Sequence, residues 1–298
     1  MKNKSYFFLV ILLMFSFFKL VSSCSQENSS LSIEELARKF NDPDHSAKPW
    51  VFWNWMGGNI SREGITADLQ AMRDVGIGGV IMFNIGHLVP EGEIQYRSEE
   101  WLDMVKHAAK TADEYDIDFT MFNCDGWSTS GGPWVTKDNA MKKIVFSEFQ
   151  IAGGETYNQS VPLPQSNLNY YKDIAILAFP TPIKDIRVPN ISGKAGFDRV
   201  FNLTIGEEAV SEDAIIKSTD ILDLSDYFSE EGTLNWNAPE GNEWTILRCG
   251  YTLTGAMNGP ATKSGRGLEI DKLSKEALDA HFQLGIQPII NELGEGYL

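Results

Sequence analysis

Gly79-Val80-Ile81-Met82-Phe83-Asn84 is an apolar run without alternation, set between Gly76-Ile77-Gly78 and Ile85-Gly86-His87. A run this short and this uniformly apolar reads as a strand buried on both faces, the kind that parallel sheets use. Upstream, Ile65, Leu69, Met72 and Val75 recur at helical intervals, and Gly76 closes that helix. It opens at Ser61-Arg62-Glu63-Gly64, where Glu63 falls one residue short of a capping box. Before it, residues 49–54 are rich in Trp, Val and Phe and read as another strand. Downstream, Ser98-Glu99-Glu100 begins a stripe of Trp101, Met104, Val105, Ala108, Ala109 and Ala112, and residues 116–123 form the next apolar run. Strand, helix, strand, helix, strand is the pattern of parallel βαβ units and places the chain in the α/β class. The Gly- and Trp-rich loops follow strands rather than helices. In a (β/α) barrel that is the functional face.

Further out the rhythm changes. Leu31, Ile33, Leu36, Ala37 and Phe40 have helical spacing, ended by Asn41-Asp42-Pro43-Asp44. From residue 142 onward, short β-like runs (145–151, 174–179, 243–253) are parted by Pro, Gly and Asn clusters, without helical stripes. Residues 267–270 are again strand-like. Ser274 then opens a helix through Ala277, Leu278, His281, Phe282, Leu284 and Ile286, which Pro288 kinks or ends. The expected organisation is residues 1–23 as an export signal, 24–48 as tether and N-terminal helix, and 49–141 as the first βα units. A β-rich insertion over 142–262 and a return to the α/β part over 263–298 complete it. At Gly296-Tyr297-Leu298 the alternation would call for the next strand.

Lys2 and Lys4 precede a nearly unbroken apolar run from Tyr6 to Phe18, followed by Leu20-Val21-Ser22-Ser23-Cys24. The run is short for a membrane span, which takes about 20 residues, and has the layout of a signal peptide. Val21-Ser22-Ser23-Cys24 resembles a bacterial lipobox, which would make Cys24 a lipidated N-terminus and anchor an exported protein to the membrane, in the periplasm or at the cell surface. Ordinary cleavage near Ser23 is the alternative. Removing residues 1–23 takes away three lysines and no acid, so the net charge moves from −16 to −19. That balance excludes nucleic acid as a partner, because phosphate binding needs clustered Lys and Arg. It suits a neutral ligand such as a sugar. Cys124 and Cys249 sit in apolar runs and read as free buried thiols. Neither they nor the scattered histidines (His45, His87, His107, His281) show metal-ligand spacing.

Three post-strand loops carry the candidate binding residues. Trp53-Asn54-Trp55-Met56-Gly57-Gly58-Asn59 offers indole faces and an amide, with Asn54 and Trp55 as sugar contacts and core packing as the alternative for each Trp. In Asn123-Cys124-Asp125-Gly126-Trp127-Ser128-Thr129-Ser130-Gly131-Gly132-Pro133-Trp134, Asp125 and Trp127 would form a sugar-binding rim, although Asp-Gly is also turn chemistry. In Gly265-Arg266-Gly267-Leu268-Glu269-Ile270-Asp271, period two puts Glu269 and Asp271 on one side of a strand, able to share a ligand or a cation. Asp271 as a turn cap and Glu269 as a solvated acid is the alternative. Hydrolysis of a glycosidic bond takes two carboxyl groups, and no pair among Asp125, Glu269 and Asp271 is singled out by spacing.

The stretches Pro49-Trp50-Val51-Phe52-Trp53-Asn54-Trp55-Met56-Gly57-Gly58-Asn59-Ile60, Gly64-Ile65-Thr66-Ala67-Asp68-Leu69 and Val75-Gly76-Ile77-Gly78-Gly79 resemble the start of the alpha-L-rhamnosidases of glycoside hydrolase family 106. So do Asp125-Gly126-Trp127-Ser128 with Gly131-Gly132-Pro133-Trp134-Val135, and Gly267-Leu268-Glu269-Ile270-Asp271-Lys272-Leu273-Ser274-Lys275-Glu276-Ala277. The resemblance runs from about Trp50 onward. It implies the N-terminal part, about three strands, of a (β/α)8 TIM-type barrel interrupted by β-structure. It also implies inverting attack by water on a terminal rhamnosyl residue of a plant or complex polysaccharide, with calcium assisting. The family's catalytic glutamates come from later strands, which are expected beyond Leu298, so no catalytic residue carries over to this sequence. The expectation is a chain lacking the C-terminal part of the same protein and inactive by itself. A non-catalytic, lipid-anchored sugar-binding protein of the cell surface is the competing expectation, and a related barrel acting on another glycoside is a third.

Overall fold

The computed structural model describes residues 32–182 and 215–294. The chain divides between Lys48 and Pro49 into two compact units. In the first, α1 (Ile33–Asn41) starts at Ser32, whose hydroxyl accepts from the Glu35 N–H. None of its residues is buried. Three features of the sequence reading lie outside the described residues: the export signal, the lipidation site at Cys24, and Leu298, beyond which the catalytic glutamates are expected.

The second unit is a mixed α/β structure. Strands β1 (Trp50–Met56), β2 (Gly79–Ile85) and β3 (Asp118–Met121) form a parallel sheet in chain order, with Trp50 opposite Gly79 and Gly79 opposite Asp118. Helices α2 (Arg62–Asp74) and α3 (Glu99–Glu114) connect them. Ser61 and Ser98 cap these helices, accepting from the backbone N–H groups of Gly64 and Trp101. Along β1 the pleat separates Trp53 and Trp55, which are buried beneath the helices, from Phe52 and Asn54, which lie on an open face. Phe52 stays 70 % exposed. The two buried indoles meet edge to face, and Trp55 does the same with Trp101 of α3. Ala108 and Ala112 on the buried face of α3 let that helix approach the sheet closely.

Two boundaries differ from the sequence expectation. Val75 is exposed because it is the C-cap of α2, past the last turn that faces the core. The third strand covers only Asp118–Met121. Asp116 ends the preceding turn in the left-handed region, and beyond Met121 the chain turns away to place Asp125.

Among the described residues six antiparallel strands follow: β4 (Lys142–Ile151), β5 (Thr156–Ser160), β6 (Tyr171–Pro180), β7 (Leu222–Asp223), β8 (Thr233–Asn237) and β9 (Trp244–Leu253). They form one sheet in the order β4-β9-β6-β7 and a separate β5-β8 pair. Ile176, Leu224, Leu234, Trp236 and Ile246 are among the residues of a second core. Strands β4 and β9 pair end to end, from Lys142 opposite Leu253 to Ile151 opposite Trp244. The chain therefore leaves and rejoins the α/β part at neighbouring points, so an extra sheet is accommodated without separating β3 from the helix that follows it.

That helix begins as α4 (Lys275–His281), capped by Ser274 accepting from Ala277 N–H, and continues as α5 (Gln287–Leu293). Between them residues Phe282–Ile286 widen into a π turn. Pro288 lacks an N–H and its ring would meet the carbonyl four residues back, so the wide turn relieves a conflict that a regular helix could not. Ile289 joins the core of the parallel sheet, and Lys106 of α3 pairs with Glu292 at 2.6 Å.

Candidate functional site

The C-terminal ends of β2 and β3 are tied to the returning segment 255–271 by a buried polar network. Its centre is Asn84, a polar residue in an otherwise apolar strand. The Trp101 indole N–H donates to Asn84 Oδ1 at 3.0 Å, and Asn84 Nδ2 donates to Asp125 Oδ1 at 2.9 Å. The other carboxylate oxygen of Asp125 accepts from the backbone N–H of Thr262 at 3.0 Å and from the Thr262 hydroxyl. Asn258 closes the loop on itself: its amide donates to the carbonyls of Asp125 and Gly265, and its oxygen accepts from Gly267 N–H. A side chain at Gly265 would collide with the Asp125 carboxylate, and one at Gly267 with the Gly132 carbonyl. Glycine is required at both positions by close approach of backbone.

Asp125 is fully buried. Burial pushes its carboxyl above the usual carboxylate range, and the hydrogen bonds from Thr262, Asn84 and Gly126 pull against that shift. The neighbouring Cys124 thiol, free and buried, is pushed up to about 12 by desolvation and by the charges of Glu269 and Asp125. Cys249 is also a free thiol.

The candidate contacts separate sharply by exposure. Trp127 is 56 % exposed beside a cleft of about 600 Å³, which His87, Met257, Pro260 and Arg266 also line. Its backbone N–H donates to Gly259 carbonyl, and the Ser128 hydroxyl accepts from Gly259 N–H, so the platform is pinned to the same network. Trp55 is only 2 % exposed and serves the core, the alternative that the sequence left open. Asn54 is exposed and lines a different cavity of about 530 Å³, beside β1 and the start of α2. Asp125 stands behind the rim rather than on it, because every oxygen of its carboxylate faces a protein donor.

Glu269 is likewise buried, accepting from the Ser130 hydroxyl at 2.9 Å and from Lys272 Nζ at 2.8 Å. Asp271 accepts from the Leu273 N–H and faces Lys142 at 3.6 Å. The two acids each have their own lysine instead of a shared ligand. Among the described residues, no group of three or more His, Cys, Asp or Glu is placed to hold a metal ion. Among the described residues no carboxylate lines the cleft of about 600 Å³. Chemically, an exposed indole with amides and hydroxyls around it can stack on and hydrogen-bond a polar ring.

Several residues of the network escape pattern reading. Asn84 had a signal, an amide inside an apolar strand. Thr262 and Asn258 had none, since Asp125, the partner that ties each into the network, lies more than a hundred residues away. His281 is also buried: the Trp134 indole N–H, which can only donate, meets its Nδ1 at 3.1 Å. The ring is therefore neutral with its proton on Nε2. Burial is the main cause that holds its pKa below the ordinary imidazole value.

Residues 41–179 and 168–297 match the profile of glycoside hydrolase family 106, described as alpha-L-rhamnosidase. A protein of Formosa agariphila, provisionally named a beta-glucuronidase, is 40 % identical over 270 residues, covering 90 % of this chain and 23 % of that protein. The solved structure of a rhamnosidase from Novosphingobium sp. PP1Y is similar with a TM-score of 0.71 and 24 % identity, covering 88 % of this chain and 38 % of the rhamnosidase. The likeness to that structure is one of fold. The chain spans less than half the length of either protein.

Two outcomes test the network. Because Trp101 fixes which way the Asn84 amide points, Asp125→Asn sets amide against amide and is expected to destabilise the fold by about 1–3 kcal/mol. Trp101→Phe frees Asn84 to turn, so the double variant should be less destabilised than the sum of the single ones by about 1 kcal/mol, measured by denaturant unfolding. For His281, the folded pKa is lowered, so the unfolded chain binds the proton more tightly. This contribution to stability is complete above about pH 6.5 and is lost as the pH falls from there toward the folded value. His281→Gln should flatten that part of the stability profile.

Proposed function

The chain belongs to the alpha-L-rhamnosidase family of glycoside hydrolases, family 106, and from that premise we propose that it supplies the sugar-binding cleft over the C-terminal ends of β2 and β3. The observation that carries this reading is Trp127, an exposed indole fixed by its backbone at the rim of a cleft at that end of the sheet. An indole face suits the C–H face of a pyranose, and the amides and hydroxyls around it suit its hydroxyl groups.

In this reading β1, β2 and β3 are the first strands of a (β/α)8 barrel. Their parallel order and the apolar open face bearing Phe52 support it. The substrate is a terminal rhamnosyl residue, cleaved with inversion by water between an acid and a base. Such a pair stands about 6.5–9.5 Å apart across an open site. Asp125 and Glu269 are poor candidates for it, being sealed and already hydrogen-bonded. The acid and base are proposed to come from parts of a longer protein beyond Leu298, and residues 1–298 to bind sugar without cleaving it. Among the described residues no group of three or more His, Cys, Asp or Glu is placed to hold the calcium that the family resemblance implies. The two relatives bear the names of different sugars, so membership sets the class of reaction more firmly than the sugar.

A second reading, a lipid-anchored surface protein that binds sugar without chemistry, draws on the same exposed indole beside the cleft. Among the described residues no helix is long and apolar enough to cross a membrane, so attachment in either reading is proposed to rest on Cys24.

Trp127→Ala should weaken rhamnoside binding about tenfold, roughly one aromatic contact's worth, with little change in melting temperature. An equal loss of stability would make Trp127 a packing residue. The purified 298-residue chain is expected to bind an aryl rhamnoside and leave it intact; turnover would overturn the placement of the acid and base elsewhere. Cys24→Ser should move the protein from the membrane fraction to the soluble one, and unchanged fractionation would count against the anchor.

A further inference from the structure

The chain carries 41 acidic against 25 basic residues, and three cavities follow that balance. Asp68 and Glu93 line the cavity beside β1 and α2. Asp279 lines the one beside α4, and Glu91 the one beside Tyr96 and Lys263. The cleft at Trp127 differs: among the described residues its wall has no carboxylate, and it holds Arg266 and His87.

Arg266 is an unusual cation for this molecule. Its side chain is exposed and makes no hydrogen bond or ion pair among the described residues. Its backbone, in contrast, is clamped. Asn258 binds the carbonyl of Gly265 and the N–H of Gly267, and those two glycines press against the Asp125 carboxylate and the Gly132 carbonyl. A fixed base with a free guanidinium presents the fork to the cleft at little further cost in backbone order. Trp127, which lines the same cleft, is held by the same network through Gly259.

We propose that this cleft selects an acidic sugar, with Arg266 as the specificity-determining contact to its carboxylate or sulfate group and Trp127 beneath its ring. The inference rests on the sugar-binding reading above and deepens it. A planar carboxylate fits the guanidinium fork through two parallel hydrogen bonds, and a sulfate ester offers the same pair of oxygens. The net negative charge of the chain opposes the approach of an acid, and the Arg266 guanidinium is the local charge that offsets it at this cleft.

The test is calorimetric titration of the 298-residue chain with three probes: a rhamnosyl-glucuronate disaccharide, its rhamnosyl-glucose counterpart, and the 6-sulfate of the latter. The expected result is about fivefold tighter binding of at least one acidic probe than of the neutral one, a preference that shrinks as salt screens the exposed pair. Which acidic probe gains tells carboxylate from sulfate. Arg266→Met should lower affinity for the acidic probe much more than for the neutral one, and Arg266→Lys should keep part of the preference. Trp127→Ala should weaken all three alike. Equal binding of the three probes by the parent chain would overturn the role of Arg266 and leave sugar binding standing. Binding of none would overturn both. An unchanged melting temperature for the Arg266 variants, whose side chain is exposed, keeps a loss of preference from being read as misfolding.

Discussion

The carboxylate of Asp125 is held in the interior by donors from two distant stretches of chain, and the arrangement of the C-terminal end of the sheet depends on it. An ionised group cannot be buried there unless its oxygens are met. Asn84 meets it from β2 and Thr262 from the returning segment, while the Gly126 N–H of its own loop donates to the Asn84 carbonyl. Trp101 adds direction, since an indole can only donate and so decides which end of the Asn84 amide faces Asp125. The helix layer, the sheet and the loop that comes back from the second sheet are thereby locked to one another by hydrogen bonds that each require the next.

This constraint explains why the loops at that end are rich in glycine. Segment 255–271 passes so close to residues 125–132 that side chains at Gly265 and Gly267 would strike backbone or carboxylate. It also explains the division of labour among residues that look alike in sequence. Neighbours Asp125 and Trp127 lie on opposite sides of one turn: the acid points into the network and the indole out over the cleft. Trp53 and Trp55 share the strand face that the helices cover, while Asn54 between them takes the open face.

The second sheet is attached in a way that leaves this arrangement undisturbed. Because Lys142 and Leu253 are paired neighbours, the excursion through β4–β9 begins and ends at one place. Met141 N–H donates to the Glu269 carbonyl and Asp271 N–H to the Asn139 carbonyl, so the two chains at the root of the sheet run side by side into the site. The cleft wall contributed by residues 255–266 is thus built by the return from the second sheet, and the rest by the loops that follow β2 and β3, through Gly86, His87, Trp127 and Ser128.

Hydrophobic period and capping residues were sufficient to place β1, α2, β2, α3 and the start of α4, since Ser61, Ser98 and Ser274 cap where the sequence puts them. These are local matters: a strand's pleat, a helix's turn and a capping hydroxyl act within a few residues. The family resemblance likewise rests on contiguous motifs, and those around Asp125 and Gly267 fall in the segments that interlock. What the sequence left open was the direction of each side chain. Whether Trp55 packs or binds, whether Asp125 lies on a rim or behind it, and whether Glu269 and Asp271 share a ligand all depend on partners far along the chain. Thr262 for Asp125, Ser130 for Glu269 and Lys142 for Asp271 are such partners. A residue's chemistry is written in the sequence, but its exposure is set by what the rest of the fold lays against it. Only the tertiary structure brings those distant segments into contact.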